Sequence, residues 1–264
     1  MPEVGLAIGG LRVAVATPEA PVIDTVRRRY GAFLADGPAD WLLRIELGRG
    51  APVHADGVVV ERDGAPHRFD LSRYDFAGRL DLLHRVADVT IAEAHELTVD
   101  SLLRVMLSLA LIPRRGLLVH AASLVRDGRG YLFPGVSGAG KTTLARLSAD
   151  ATLLSDELST VTAADVGPRV HGTPFWGELA RAGESGSAPL AGVYFPRHAI
   201  RHAVTPLGER AALTRLLPTV MSFAREPDVV ARVVDLAADL VARVPCFILD
   251  FRRDPGFWET IERG

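Results

Sequence analysis

The sequence predicts an α/β protein, α+β in overall organisation, with a small α+β unit over residues 1–95 and a larger nucleotide-binding domain over residues 96–264. Three observations carry this prediction. The run Gly135-Val136-Ser137-Gly138-Ala139-Gly140-Lys141-Thr142-Thr143 fits G-x-x-x-x-G-K-[ST], the pattern of a phosphate-binding loop. Apolar Tyr131-Leu132-Phe133 before it reads as a strand, and Thr143-Leu144-Ala145-Arg146-Leu147 after it reads as a helix start, so the order is strand, glycine loop, helix. The texture of the chain also changes near Val99: long apolar segments follow it, whereas residues 1–95 show short elements and no chemical motif.

In chain order, Leu11 to Ala16 is a strand. Pro21 to Asp36 has the spacing of an amphipathic helix, with Val22, Val26, Tyr30 and Phe33 on one face. Arg27, Arg28 and Arg29 lie mostly off that face and are expected in solvent, as charge runs usually are. Trp41 to Leu47 alternates, apolar at Leu43, Ile45 and Leu47 and polar at Arg44 and Glu46, which is the pattern of a half-buried strand. Val58 to Glu61 and His67 to Leu71 flank Asp63-Gly64 and form a β-hairpin. Asp81 to Ala94 is mixed and assigns no element.

Val99 to Ile112 is an apolar helix ended by Pro113. Gly116 to Val125 is a very apolar strand carrying His120, and Asp127-Gly128 turns it into the strand that enters the loop. An antiparallel neighbour at that point is unusual, since most such loops are fed from a parallel βαβ arrangement. Ala151 to Leu158 is a short apolar strand ending in Asp156 and Glu157. Asp156 follows Lys141 by fifteen positions, room for one short helix and an immediate return strand, which brings the two carboxylates back toward the loop.

His171 to Glu178 gathers turn formers, Phe175, Trp176 and an acid. It reads either as a cover over a nucleotide, with Glu178 as a metal or substrate contact, or as a loop anchored by its aromatics. Ala182 to Ala188 is small and polar, and Leu190 to Phe195 is a strand. Arg197, His198, Arg201 and His202 form a basic cluster, read as a solvated face or as a contact for phosphates or an acidic substrate. Leu207 to Ala224 carries one helix or two, with Pro218 near a boundary. Asp228 to Arg243 is a helix, Cys246 to Phe251 a strand, and Phe257, Trp258 and Ile261 a terminal apolar anchor.

The bulk numbers narrow the function. Thirty basic against 32 acidic residues give a net charge of −2, without the basic excess a general nucleic-acid binder needs. The single Cys246 excludes an internal disulfide and a cysteine-based zinc site, and the eight His have no ligand-type spacing along the chain. The N-terminus lacks a basic stretch followed by an apolar core, so no signal peptide is expected and the expected compartment is the cytoplasm. Leu102 to Ile112 is the most apolar run. It is interrupted by Arg104 and Ser108 and too short to cross a bilayer.

Each residue type in the loop has a physical task. Gly135, Gly138 and Gly140, with Val136, Ser137 and Ala139 between them, let backbone N–H groups turn toward an anion. Lys141 puts a positive charge on the β- and γ-phosphates, the Thr142 hydroxyl holds Mg²⁺, and the helix that starts near Lys141 and runs on through Thr143 points its positive end at the same phosphates. Asp156 and Glu157 supply the carboxylate that Mg²⁺ needs, or the base that a hydroxyl nucleophile needs.

The run Leu117-Leu118-Val119-His120-Ala121-Ala122, the loop Gly135 to Thr143, and Leu153-Leu154-Ser155-Asp156-Glu157 together resemble the catalytic domain of HPr kinase/phosphorylase, within a wider superfamily that includes the ATP-dependent phosphoenolpyruvate carboxykinases. The resemblance covers about residues 99–264 and is strongest over 116–158. Val244-Pro245, the alternating strand after it and Phe257-Trp258 also resemble HPr-kinase-related proteins associated with peptide-modifying gene clusters. It implies a P-loop kinase domain of that type, with Asp156 matching the general base and His120 the strand histidine beside it. The chain has Ala121 where that family has Gly, and Ser155-Asp156-Glu157 where it has Ala-Asp-Asp. An Arg-Gly-rich phosphorylase loop is not found.

The expected function is that of an ATP-dependent kinase transferring the γ-phosphate to a hydroxyl, of Ser/Thr type, on a protein, peptide or small molecule. Asp156, His120 and Lys141 are its catalytic residues. ATP and Mg²⁺ are the cofactors, with Thr142, Asp156, Glu157 and Glu178 as metal ligands. The partner is the phosphoacceptor, with neither nucleic acid nor membrane, and self-association stays open. The alternatives are a non-catalytic ATP-binding regulatory or assembly module, and an NTPase without an acceptor.

Overall fold

The computed structural model describes residues 1–48, 57–164 and 166–263. They form a mixed α/β structure with two sheets and six α-helices, and they divide into two compact units. The first comprises Met1–Pro113 with Ser222–Arg232, the second Arg114–Met221 with Val233–Gly264.

The first unit holds β1 (Glu3–Ile8), β2 (Leu11–Ala16), α1 (Ala20–Arg29), β3 (Trp41–Leu47), β4 (Val59–Arg62), β5 (Arg68–Arg73), β6 (Phe76–Asp81), β7 (Val86–Ile91) and α2 (Glu96–Ala110). Its seven strands lie in the order β1-β2-β3-β7-β6-β5-β4. The pairs β2/β3 and β3/β7 are parallel, and the remainder antiparallel. The strand over Trp41–Leu47 and the hairpin around Asp63-Gly64 are as the alternation and turn residues predict. The mixed stretch after Asp81 resolves into the turn and strand β7.

The predicted helix from Pro21 to Asp36 is shorter. It ends at Arg29 and a single 3₁₀ turn, Gly31–Phe33, follows. The arginine triplet also divides: Arg27 and Arg28 are exposed, but Arg29 is buried. Its guanidinium bonds the Asp100 carboxylate of α2 at 2.7 Å, and the Tyr30 hydroxyl donates to the other oxygen of the same acid at 2.5 Å. Burial, then the Asp100 charge, raise the Tyr30 hydroxyl well above its ordinary pKa, so the phenol stays a donor. The position of Asp100 is a long-range fact that the local sequence of α1 does not carry.

The second unit holds β8 (Gly116–Arg126), β9 (Arg129–Pro134), α3 (Lys141–Arg146), β10 (Thr152–Ser155), β11 (Leu158–Ala164), β12 (Gly167–His171), β13 (Ser187–His198), β14 (Ala203–Pro206), α4 (Glu209–Leu216), β15 (Cys246–Phe251) and α6 (Phe257–Arg263). The helix α5 (Pro227–Arg243) is divided between the units at Arg232. β8 and β9 form the predicted hairpin; Asp127 (φ 51°) and Gly128 (φ 72°) have the two positive φ values of a type I′ turn. β8 also pairs with β11, β11 with β12, β12 with β13, and β13 in parallel with β9, so this circuit of strands closes on itself.

What reads in the sequence as one strand, Ala151 to Leu158, is two. β10 and β11 both run antiparallel to β8, and the Asp156-Glu157 pair forms the break between them, opposite Ala122 and Ala121. Ser155 Oγ accepts from the amides of Glu157 and Leu158 and shapes this break. An aromatic core beneath the glycine loop gathers Tyr131, Phe133, Phe251, Phe257 and Trp258 with Leu144 of α3. Trp258 Nε1 donates to Ser148 Oγ at 2.9 Å, tying α6 to the end of α3. Burial of each large side chain here contributes about 1.5–3 kcal/mol, so the loop rests on a rigid floor.

Candidate functional site

The glycine loop springs from β9 and is pinned at its start, where the Gly135 amide donates to the His120 carbonyl at 3.2 Å. Gly138 (φ 80°) and Gly140 (φ 99°) take left-handed conformations that L side chains rarely adopt. Gly140 has a second reason to be glycine. A Cβ there would sit 2.6 Å from the Phe251 ring and 3.1 Å from His198 Cε1. Val136, Ser137 and Gly138 are exposed, whereas Lys141 is buried at the start of α3.

The Lys141 ammonium donates to the carbonyls of Gly135 (2.8 Å) and Val136 (3.1 Å), folding its own loop around it. Burial lowers the Lys141 pKa, and the charges of Glu157, Asp156 and Glu178, in that order, act to raise it. A cation whose direct partners are neutral carbonyls, facing acids across a gap, is suited to receive an anion together with a divalent metal.

That gap is a cavity of about 610 Å³ lined by the loop residues Ser137, Gly138, Gly140, Lys141, Thr142 and Thr143, with His120, Glu157, Gly177, Glu178, His198 and Arg253 around it. The structure therefore brings together Lys141, Thr142, His120, Glu157 and Glu178 from the predicted set. His120 Nε2 and Glu157 Oε2 are 3.6 Å apart. Gly135, Val136 and Ala139 lie instead along a larger, more apolar cavity of about 1,040 Å³, shared with Phe195, Pro196 and residues of α4. Lys141, Glu157 and Glu178 line the smaller cavity and not this one.

Asp156 is placed differently from Glu157. It is buried, and its two oxygens accept the amides of Gly177 and Leu179, each at 3.0 Å. Its carboxylate holds the loop after β12 and does not line the cavity. The same loop is fixed further back: Thr173 N donates to the Leu154 carbonyl at 3.2 Å, the Thr173 hydroxyl bonds the Leu158 carbonyl, and Ser155 Oγ donates to the Phe175 carbonyl at 3.2 Å. Phe175 is fully buried, so it anchors the loop, while Glu178 at the loop's far end is exposed and reaches the cavity. The aromatic anchor expected of residues 171–178 is thus Phe175, and the acid of the same segment stands on the cavity wall.

His198 and Arg253 join the site from the ends of β13 and β15. These strands pair in parallel with His198 opposite Phe251, so two distant segments finish together beside the loop. His198 belongs to the basic cluster read from the sequence, Arg253 follows Arg252 directly after β15, and nothing local separates the two from Arg197 and Arg252, which pair with Asp250 and Asp254.

Residues 94–264 match the model of one family, described as SynChlorMet cassette protein ScmC. The chain belongs to this family. No curated protein matches it. Every residue lining the cavity falls within the ScmC span, and so does α2, whereas the sheet β1 to β7 lies outside it. Among the described residues no helix is long and apolar enough to cross a membrane.

Proposed function

We propose that this ScmC-family chain is an ATP-dependent kinase that transfers the γ-phosphate of ATP to a hydroxyl, of Ser/Thr type, on a protein, peptide or small molecule. The observation that carries the reading is the placement of Lys141 and Glu157 on one glycine-walled cavity, with His120 3.6 Å from the acid. A triphosphate needs a cation and backbone donors, and the hydroxyl it meets needs a proton acceptor. A pure nucleotide binder has no use for the second.

In this reading the loop and Lys141 hold the β- and γ-phosphates, whose oxygens take over the ammonium from the Gly135 and Val136 carbonyls. The Thr142 hydroxyl and the Glu178 carboxylate, both on the cavity, are the oxygen donors that suit Mg²⁺, which keeps several waters. Bound there, the ion would neutralise charge on the phosphates. The acceptor oxygen forms a bond to the γ-phosphorus as the bond from that phosphorus to the β–γ bridging oxygen breaks. Glu157, flanked by His120, takes the hydroxyl proton, and ADP leaves with the electron pair. Asp156 acts as a positioning residue, because its oxygens are engaged by the amides that hold Glu178's loop. Arg253 and His198 on the same cavity offer positive charge to an acidic acceptor. An ATP-consuming reaction of this kind fits the cytoplasm.

The test uses γ-labelled ATP with candidate peptides and cell extract. Label in a discrete acceptor, lost in Glu157→Gln, supports the kinase. Free phosphate released at one rate whatever is added points to an NTPase, and binding without turnover to an assembly module.

A further inference from the structure

The first unit carries a cluster that the kinase reading does not use. At one end of the β5–β6–β7 meander, the Leu82 amide donates to the His67 carbonyl at 2.8 Å and fixes the start of β5 beside the end of β6. Asp81 closes β6. Its Oδ1 accepts the amides of Leu83 and His84, each at 2.9 Å, which orients the carboxylate and turns Oδ2 toward two imidazoles. Oδ2 is 2.9 Å from His84 Nδ1 and 3.8 Å from His67 Nε2. The rings stand edge to face, 6.3 Å apart. One ligand atom from each of the three residues lies within 4.8 Å of the others.

We infer that His67, Asp81 and His84 form a binding site for a divalent transition-metal ion of the Zn²⁺ class. A structural ion pair requires one histidine; here two histidines from separate segments aim at the same oxygen. Zn²⁺ bonds of about 2.0–2.1 Å in tetrahedral array set ligand atoms roughly 3.4 Å apart. The observed 2.9 and 3.8 Å lie on either side of that spacing. Two imidazoles and a carboxylate are a donor set for Zn²⁺ and its neighbours rather than for Ca²⁺ or Mg²⁺. The amides on Oδ1 supply the outer contacts that orient a ligating carboxylate. Arg68 and Arg79 on the same hairpins pair with Asp63 and Asp70 and leave Oδ2 to the imidazoles. Asp81 is sheltered, with its side chain 13% exposed, while His84 is 69% exposed, so the site opens to solvent and leaves a coordination position for water or an outside ligand.

The experiment titrates chelator-stripped full-length protein with Zn²⁺ by calorimetry, and with Co²⁺ by visible absorption. His84 is on the surface, so His84→Ala retains the fold, which an unchanged melting temperature in chelator verifies. A binding event weakened at least about tenfold in His84→Ala and in His67→Ala, but retained in Glu178→Gln, is expected, with Co²⁺ bands that vanish in the same two variants. Zn²⁺ binding that is absent, or indifferent to both histidine variants, or lost only in Glu178→Gln, overturns the assignment.

Discussion

Glu157 Oε2 stands 3.6 Å from His120 Nε2 on the wall of the glycine-loop cavity, while the carboxylate of its chain neighbour Asp156 is buried against the amides of Gly177 and Leu179. Ser155 Oγ accepts the amides of Glu157 and Leu158 and breaks the strand at this pair. Of two adjacent acids, one therefore meets the cavity and the other meets the protein.

This separates Glu157→Gln from Asp156→Asn, although the resemblance gives the base role to Asp156 and only a metal contact to Glu157. Glu157→Gln is expected to leave the melting temperature close to wild type and to lower transfer by about 10²–10⁴-fold, the usual contribution of a positioned base. Added Mg²⁺ should not restore it, whereas Glu178→Gln should recover in part at high Mg²⁺. Asp156→Asn turns an NH₂ group toward an amide that needs an acceptor, at a cost of about 1–3 kcal/mol. Its signature is a lower melting temperature. Thermal melts and initial rates on the same samples decide; a stable, inactive Asp156→Asn would return the base role to Asp156.

Lys141→Ala is expected to reduce phosphoryl transfer by about 10²–10³-fold or more, as loss of a positioned charge on the phosphates does. The ammonium also bonds the Gly135 and Val136 carbonyls, so the loop should become more susceptible to proteolysis near Val136. Single-turnover rates with a folded variant provide the measurement. Wild-type turnover would remove the loop from the chemistry.

How much of this was legible depends on how local each signal is. The loop, the type I′ turn at Asp127-Gly128 and the strands Trp41–Leu47 and Cys246–Phe251 are written in short patterns, and they stand where those patterns put them. β1 and β6 went unread: Glu3–Ile8 is a short edge strand, and β6 carries Gly78, a weak strand former whose missing Cβ would sit 2.3 Å from the Asp88 carbonyl. The break at Asp156-Glu157 was hidden because apolar residues continue on either side, and only the pairing with β8 reveals which acid turns outward. Arg29 read as solvated because its partner, Asp100, is 71 positions away. His198 and Arg253 reached the site through strand pairing, which composition does not encode.

Gly140→Ala tests the loop's backbone without touching a charge. The φ of 99° and the contact with Phe251 both oppose a methyl group, and the Phe251 ring belongs to a packed core that yields little. The expected cost exceeds about 1 kcal/mol. Gly138→Ala meets the same backbone strain at φ 80° but open space around the Cβ, so its cost should be smaller. Chemical denaturation of the two variants side by side checks the order; equal losses would mean that the Phe251 contact contributes nothing.

The stability of the chain is expected to depend on acid through His171. Its Nε2 lies 2.8 Å from Thr162 Oγ1 across the β11–β12 pair. Burial, with smaller contributions from Arg169 and Arg114, pushes its pKa down to about 4. The unfolded chain binds this proton near pH 6.5, so between those values the unfolded state carries more protons than the folded one. Stability therefore rises with pH through the window: it is fully present above about 6.5 and is lost as pH falls toward about 4, by at most about 1.4 kcal/mol per unit. His171→Gln keeps a polar group near Thr162 and cannot titrate. Carboxylates also titrate at the lower end of this range, so the informative quantity is the difference between the two proteins. Melting temperatures measured from pH 7.5 to 4.5 should fall more steeply for the wild type than for His171→Gln. Parallel slopes would show that His171 is not the group that couples folding to protons.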